Sequence, residues 1–320
     1  MRIFAGVILA AAAAVFVSAQ SGDRNQLVPA RAALQAGEAD KAMALLAQPG
    51  GNAEAYNLRC RVEYTLEQWD RAANDCAQAV KLDSQNSVDH MWLARALGEK
   101  ASRASFVNAY SLAKRVRGEF EASVRLNSRN AEALADLGEF YYSAPGVVGG
   151  GTDKAAGVAA QLDRIDPVRA HELRGNIAEQ RKDFGAAERE LKQAIAASAH
   201  PALQWMTLAG FYRHRARWTE MESAVRSGQS AAERDKRASV ALYDGASLLI
   251  KTNRDPARAV KMLEDYLASN AKAEEAPAFV AHTWLARLKA QLGDGAAVGR
   301  ERAAALALAH EYKPALDLKH

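Results

Sequence analysis

The sequence predicts an all-α protein built from stacked helix hairpins, and three observations lead to that prediction. Sustained alternating Val/Ile/Thr runs and Asn-Gly turns are nearly absent from the 320 residues, which argues against strands. The chain is rich in Ala, Leu, Arg, Glu and Lys, and its apolar residues recur at helical spacing. Small residues also recur in a fixed order with a period of about 34 residues, which is typical of a repeat array. Each hairpin of such an array needs only its neighbours to bury a core.

The repeat is most complete over residues 53–86. Its fourth, eighth, twentieth, twenty-fourth and twenty-seventh positions are filled by Tyr56, Cys60, Ala72, Cys76 and Ala79. Small residues at the eighth and twentieth positions allow the two helices of a hairpin to approach closely. On these positions the unit resembles the tetratricopeptide repeat (TPR) along its whole length, with Ser84 where that family has Pro. The resemblance implies a right-handed superhelical solenoid of TPR-type hairpins, with the first helices lining its concave face.

The same small-residue spacing recurs along the chain with modest departures, such as five extra residues between Gly138 and Ala155. It predicts seven hairpins, and eight if the weaker opening unit over 27–48 also forms. The seven are expected at 53–86, 87–130, 131–167, 168–201, 202–238, 239–275 and about 279–310. The 87–130 unit is ten residues longer than the others, which leaves open either longer helices or an extra turn between them. Asp255 followed by Pro256 predicts a helix start.

The N-terminus predicts a cleaved signal peptide over residues 1–19, followed by a repeat domain over 20–320. Met1-Arg2 precedes an apolar run from Ile3 to Val17 and small residues near Ala19, as in secretory leaders. An uncleaved membrane anchor is the alternative, although the run is short and mostly alanine. No cysteine follows the run, which excludes a lipoprotein anchor, and no later segment is long and apolar enough to span a membrane. We therefore expect a periplasmic or secreted protein.

Composition and motifs exclude several classes of function. The 42 Lys and Arg residues are interspersed with 38 Asp and Glu residues, unlike the clustered positive charge of a nucleic-acid-binding protein. His90, His171 and His282 occupy the fourth position of repeats, where the TPR family has a packing aromatic, and no histidine pair has metal-ligand spacing. No nucleophile motif is present. The sequence thus predicts no enzyme activity, no metal and no cofactor.

Candidate binding residues follow from the TPR resemblance. In that family ligands lie on the concave face, at the second, fifth, ninth, twelfth and thirteenth positions of the repeats. The candidates at those positions are Asn57, Arg61, Tyr64, Arg95, Tyr142, Asn176, Arg213 and His214. Their mixed charge favours a protein or peptide partner, and therefore an interaction scaffold of the cell envelope. A small-solute-binding accessory protein is the alternative, and it would need an enclosed pocket rather than an open groove.

A glycine-rich insert, APGVVGGGTDKA, precedes the second helix of the 131–167 unit. It predicts a lengthened turn with Thr152 or Asp153 capping the next helix. A phosphate cradle is the alternative, but a Walker-type loop requires Gly-Lys-Ser/Thr after a strand, and neither is present. The insert is similar to one found in exported bacterial TPR proteins, a resemblance that implies no activity.

The two cysteines of the chain, Cys60 and Cys76, fall on the two helices of one hairpin, about one helical turn apart along its axis. Disulfides tolerate Cα separations only up to about 6.8 Å, so a bridge can form there at some strain. Two buried small thiols are the other expectation.

Overall fold

The computed structural model describes residues 27–318, and each regular element in that range is helical. Consecutive helices pack in pairs, which confirms the predicted all-α array of hairpins. The first helices of the pairs are α1 (27–36), α3 (Ala53–Thr65), α5 (Ser87–Arg103), α7 (Ala131–Ser143), α9 (Pro167–Gln180), α11 (Ala202–His214), α13 (Val240–Lys251) and α15 (Ala278–Gln291). The second helices are α2 (Ala39–Leu45), α4 (Trp69–Leu82), α6 (Phe106–Leu126), α8 (Thr152–Leu162), α10 (Phe184–Ala197), α12 (Trp218–Arg234), α14 (Pro256–Ala268) and α16 (Gly295–Leu308), and a short α17 (Lys313–Leu316) follows. The predicted signal peptide lies outside the described residues.

The weak opening unit forms a hairpin of its own, so residues 27–318 contain eight. Helices α1 and α2 bury Leu34 and Ala42, and Leu46 closes the hairpin at 1% exposure. The long 87–130 unit consists of longer helices, because α5 has 17 residues and α6 has 21. Only Ala104 and Ser105 separate them, so of the two alternatives left open by the sequence the longer helices are the one that forms.

Short polar residues begin many of the helices. Asn52 and Asn130 accept hydrogen bonds from backbone N–H groups in the first turns of α3 and α7. Asp166 and Asp183 do the same for α9 and α10. Asp255 caps α14 with Pro256 at the first helical position, which confirms the predicted start.

Close helix packing explains the recurring small residues. A Cβ atom on Gly175 of α9 would lie 2.8 Å from Cδ2 of Leu191 on α10, so a larger residue would separate the two helices. The fourth-position histidines are half-buried and contact the second helix of their own hairpin through a glutamate. His90 Nδ1 lies 2.6 Å from Glu119, and His282 Nδ1 lies 2.7 Å from Glu301.

The glycine-rich insert forms a structured turn that includes a 3₁₀ helix (Gly146–Val148). The N–H groups of Gly149, Gly150 and Gly151 all donate to backbone carbonyls nearby, so they do not form a phosphate cradle. A Cβ on Gly150 would overlap the Ala144 carbonyl, which explains glycine there. The predicted cap was wrong, because Gly151 takes the cap position of α8 and Thr152 Oγ1 accepts from Arg181 instead.

The two ends of the array meet. His310, just after α16, bonds Asp40 of α2 through its backbone N at 2.9 Å and its ring Nδ1 at 2.8 Å. A Cβ on Gly37 would collide with the backbone of Ala278 at the start of α15. Tyr312 is 2% exposed and stacks edge-on against Phe279, with ring centroids 4.8 Å apart. One apolar cluster therefore joins the first hairpins to the last, and the solenoid closes on itself.

Candidate binding site on the concave face

The first helices lie on the inner side of the closed array. Between neighbouring hairpins, each second helix packs on the next first helix, as α4 does on α5 and α8 on α9. First helices also contact one another directly, as α3 does α5, α7 does α9 and α11 does α13. The eight predicted binding residues are on these helices, and the structure distributes them over separate recesses. Recess 1 contains Asn57 and Arg61, recess 2 contains Tyr64 and Arg95, and recess 3 contains Tyr142, Asn176 and His214.

Recess 2 lies between α3, α5, α6 and α7 and has a volume of about 720 Å³. The loop between α14 and α15 reaches it from the far end of the chain and contributes two glutamates. Its aromatic and carboxylate lining residues are Tyr64, Trp92, Phe120, Phe140, Glu132, Asp136, Glu139, Glu274 and Glu275. Arg95 is the one basic residue among the described residues that line it. The recess is therefore aromatic and acidic.

Arg95 is held in place by its neighbours. Its guanidinium carbon lies 4.7 Å from the ring centroid of Trp92, and its nitrogens lie 2.7 Å from Asp136 and 2.8 Å from Glu132. Burial alone would lower the pKa of Arg95, but the two carboxylates outweigh it and raise the pKa. Because its donors are already engaged, Arg95 shapes the wall of recess 2 and leaves little capacity for a ligand.

Arg61 is engaged in the same way, across the closure of the array. Its Nη2 lies 2.6 Å from Oε2 of Glu274, a residue 213 positions later in the chain and only 4% exposed. The Arg61 guanidinium also lies 5.0 Å from the Trp92 ring centroid. This pair joins α3 to the α14–α15 loop. The guanidinium of Arg61 therefore has a structural role and is not available to bind a ligand.

Two carboxylates of recess 2 are open to solvent. Glu139 and Glu275 are exposed, and neither has an ion-pair or hydrogen-bond partner for its carboxylate in the described part of the chain. Desolvation by the surrounding protein, with the charge of Asp136 as a lesser cause, raises the pKa of Glu139. A cationic group entering recess 2 would stabilise the ionised form of Glu139 and offset the like charge of Asp136.

Recess 1, of about 500 Å³, contains two buried polar side chains. Asn57 is 4% exposed and Asp89 is 1% exposed. Burial, together with the negative charge of Asp83, raises the pKa of Asp89 to about 7. A side-chain hydrogen bond from Asn57 lowers the pKa of Asp89, but this is a small effect beside burial.

The pKa of Asp89 predicts a pH-dependent stability. Between its ordinary value of 3.8 and about 7, the native state keeps a proton that the unfolded chain releases, so stability falls as pH rises through this window. Asp89→Asn should therefore raise the free energy of unfolding by up to about 4 kcal/mol near pH 8 and change it little near pH 4. Urea denaturation at several pH values measures this. The control is Asp153→Asn, which removes a fully exposed carboxylate on another hairpin. An equal, pH-independent effect of both variants would contradict the prediction.

Recess 3, of about 630 Å³, is polar. Tyr142, Asn176 and His214 come together there, and His214 Nδ1 lies 3.2 Å from Glu179 Oε1. Arg213 lies beside this recess, with its Nη2 2.9 Å from His214 Nε2. Burial, with Glu139 as a lesser cause, raises the pKa of the Tyr142 hydroxyl.

Several residues that line recess 2 could not be predicted from the repeat positions. Trp92 and Asp136 occupy the sixth positions of their repeats, outside the positions that the TPR resemblance transfers. Glu274 and Glu275 are in a connection between hairpins and have no repeat position at all. The acidic residues near Trp92 come from α7 and from the distant α14–α15 loop, so their proximity can be recognised only in the folded, closed array.

The cysteines form a disulfide in the structure. Cys60 on α3 and Cys76 on α4 are both fully buried, and their Cα atoms lie 5.4 Å apart. The bridge links the two helices of the second hairpin. Cys60 is on α3, the helix that also carries Arg61 and Tyr64, so the crosslink fixes this first helix against α4.

Within residues 27–318, no group of three or more His, Cys, Asp or Glu side chains has an arrangement that could hold a metal ion. The same residues include no helix with the length and apolarity that crossing a membrane requires.

Comparison with solved structures shows which fold this is. Yeast Tom70 matches with a TM-score of 0.53 and 14% identity, over 87% of this chain and 58% of Tom70. The chain thus spans little more than half of Tom70's length. A TPR protein of Thermus thermophilus matches with a TM-score of 0.46 and 21% identity, over 62% of this chain and 99% of that protein. A TPR protein of Parabacteroides merdae matches with a TM-score of 0.45 and 12% identity, over 83% of this chain and 98% of that protein.

No protein-family model matches the sequence, and no curated protein matches it. At these identities the structural likeness concerns the fold. The chain is an all-α solenoid of TPR-type hairpins.

Proposed function

We propose that this protein is a non-enzymatic interaction scaffold that holds a segment of a partner protein on its concave face. Recess 2 carries the proposal, because aromatic rings and carboxylates surround a space of about 720 Å³ at the closure of the array. Ligand sites in proteins typically have volumes of roughly 300–1,000 Å³. The TPR-type fold supports protein partners in general.

The chemistry of recess 2 favours a segment that carries Lys or Arg. Glu139 and Glu275 provide negative charge without a direct ion pair in the described part of the chain. The charge of Arg95 acts on Glu139 only as a lesser effect than burial and the neighbouring aspartate. Tyr64 and Phe140, which are partly exposed in the recess, add aromatic surface on which a guanidinium or ammonium group can pack. An acidic segment would be repelled by these carboxylates, and no basic side chain among the described residues of the recess is free to pair with it.

The arrangement of the recesses favours an extended segment over a compact solute. Recesses 1 and 3, of about 500 and 630 Å³, are lined by neighbouring first helices on either side of recess 2. A strand-like or coiled segment can contact several such recesses in succession. The small-solute-binding function stays a second prediction, which the volume of recess 2 alone would also accommodate.

We place this activity in the periplasm or cell envelope. The proposal is supported by the leader-like residues 1–19 and by a disulfide, which persists in oxidising compartments.

Binding of short fluorescent peptides of equal length tests the proposal. A Lys/Arg-rich peptide should bind, whereas an Asp/Glu-rich peptide should not. Glu139→Gln combined with Glu275→Gln should weaken binding of the basic peptide about tenfold, because two charge contacts are lost. The matched control is Glu233→Gln combined with Glu264→Gln, which removes the same charge from second helices and should leave affinity unchanged.

Three outcomes would count against the proposal. Equal weakening by both double variants would indicate a non-specific charge effect. Equal affinity for basic and acidic peptides would mean that the carboxylates of recess 2 do not select the ligand. Free arginine that binds as tightly as the peptide would favour the solute-binding function instead.

A further inference from the structure

The α5/α6 hairpin is longer than its neighbours and ends in a tip, formed by residues 100–118. Helix α5 has 17 residues and α6 has 21, against 13 and 14 in α3 and α4. At about 1.5 Å per residue, the additional residues extend the two helices by roughly 6 and 10 Å. The tip has no counterpart in the other hairpins of residues 27–318.

The tip exposes apolar side chains at its end. Phe106 is 89% exposed and Val107 is 77% exposed, more than any other large apolar residue of the described chain. Tyr110 follows one turn later on α6 and is 37% exposed, and Lys114 Nζ lies 4.5 Å from its ring centroid. Phe106, Tyr110 and Lys114 therefore form one outward stripe, at a spacing of four residues.

Positive charge surrounds this apolar end. Residues 100–118 include no Asp or Glu, and their five basic residues are Lys100, Arg103, Lys114, Arg115 and Arg117. Neighbouring acids offset most of this charge, because four of the five basic residues lie near a carboxylate. Asp70 pairs with Lys100 and Glu99 with Arg103, whereas Glu119 lies 3.8 Å from Arg115 and Glu121 lies 3.5 Å from Arg117. Lys114 has no carboxylate partner in residues 27–318.

A recess of about 530 Å³ adjoins the tip, between it and the start of α4. Trp69, Lys100, Arg103, Asn108 and Ser111 line it, together with Asp70. Arg103 packs over Trp69, with its guanidinium carbon 4.6 Å from the ring centroid. The carboxylate of Asp70 is 87% exposed, so Lys100 can exchange it for another anion at little cost. The recess offers two cations and two neutral hydrogen-bonding groups to a phosphate.

We propose that the tip docks on the surface of a bilayer containing anionic phospholipids. Phe106 and Val107 enter the headgroup region, while the recess beside Trp69 holds a lipid phosphate. A convex apolar end within basic surroundings suits a deformable interface, whereas a protein partner would have to supply a matching pocket. Burial of exposed apolar side chains and attraction to anionic lipid both stabilise such contacts, and aromatic residues prefer the interface. This docking is independent of the peptide proposed for recess 2.

A fluorescent label at the tip tests the docking directly. The native cysteines of the chain are joined to each other, so Val107→Cys introduces a single reactive thiol for an environment-sensitive dye. Vesicles of phosphatidylcholine with phosphatidylglycerol should shift the dye emission to the blue, and vesicles of phosphatidylcholine alone should not. Leu292→Cys, at another exposed turn, is the matched position and should show no shift. Because the dye reports its own surroundings, binding of the N-terminal apolar run to the vesicles does not mimic the result.

Unlabelled variants complete the test by vesicle flotation. Lys114→Gln with Arg115→Gln should lower partitioning into anionic vesicles about thirtyfold, and Phe106→Ser with Val107→Ser about a hundredfold. Arg189→Gln with Arg226→Gln controls for net charge and should behave like the native chain. A dye shift of equal size on neutral vesicles, or one that follows protein concentration without lipid, would overturn the proposal. The second of these outcomes would indicate contact between two copies of the chain.

Discussion

Arg61→Ala should lower the free energy of unfolding by about 3–5 kcal/mol, because it leaves the carboxylate of Glu274 buried and without a counter-ion. Glu274 is 4% exposed and Arg61 is 17% exposed, so water reaches neither partner freely. Burial already raises the pKa of Glu274, and Arg61 partly offsets that rise. In the variant the pKa should rise further, so the loss of stability should be larger near pH 8 than near pH 5. Chemical denaturation followed by circular dichroism measures both effects.

Two companion variants make the Arg61 result specific. Arg31→Ala removes the exposed pair with Glu54 and should cost less than about 1 kcal/mol. Glu274→Gln in the Arg61→Ala background removes the unpaired charge and should recover much of the loss. If Arg31→Ala and Arg61→Ala cost the same, the pair does not hold the array closed. Small-angle X-ray scattering provides a second readout, because an opened array would have a larger radius of gyration.

The hairpins could be predicted from the sequence because their determinants are local. A small residue is required wherever two helices of one pair approach, so Gly175 and Ala187 keep their spacing whatever the rest of the chain does. Capping residues such as Asp255 act within a single turn. The fourth-position histidines could be placed for the same reason, although their glutamate partners were not foreseen.

The closure of the array could not be predicted, since it depends on contacts between residues far apart in sequence. The Arg61–Glu274 pair joins positions 213 residues apart, and Glu274 has no place in the repeat pattern. The repeat positions of Arg61 and Arg95 therefore predict ligand-binding residues of the groove, whereas both side chains are held by carboxylates of the protein itself. A small change in the angle between hairpins, summed over eight of them, decides whether the two ends meet, and no single residue encodes that sum.

This distinction changes which residues are useful probes of binding. Charge reversal at Arg61 or Arg95 would disturb the closure and the wall of recess 2 before it altered any ligand contact. Glu139 and Glu275 are better probes, since each faces the recess without a structural partner among the described residues. A loss of peptide binding in their glutamine variants can then be separated from a loss of fold by the same denaturation measurement.

Removal of the Cys60–Cys76 disulfide should lower the free energy of unfolding by about 3 kcal/mol, as expected for a crosslink over a 16-residue separation. Both cysteines are fully buried, so Cys60→Ala with Cys76→Ala removes the crosslink without placing a new polar group in the core. Reductant should lower the thermal midpoint of the native chain and leave that of the double variant unchanged. Alkylation followed by intact mass measurement should modify the native chain only after reduction. Equal reductant dependence of both proteins, or alkylation of the unreduced native chain, would mean that the thiols stay free, and the argument from the disulfide for an oxidising compartment would fall with it.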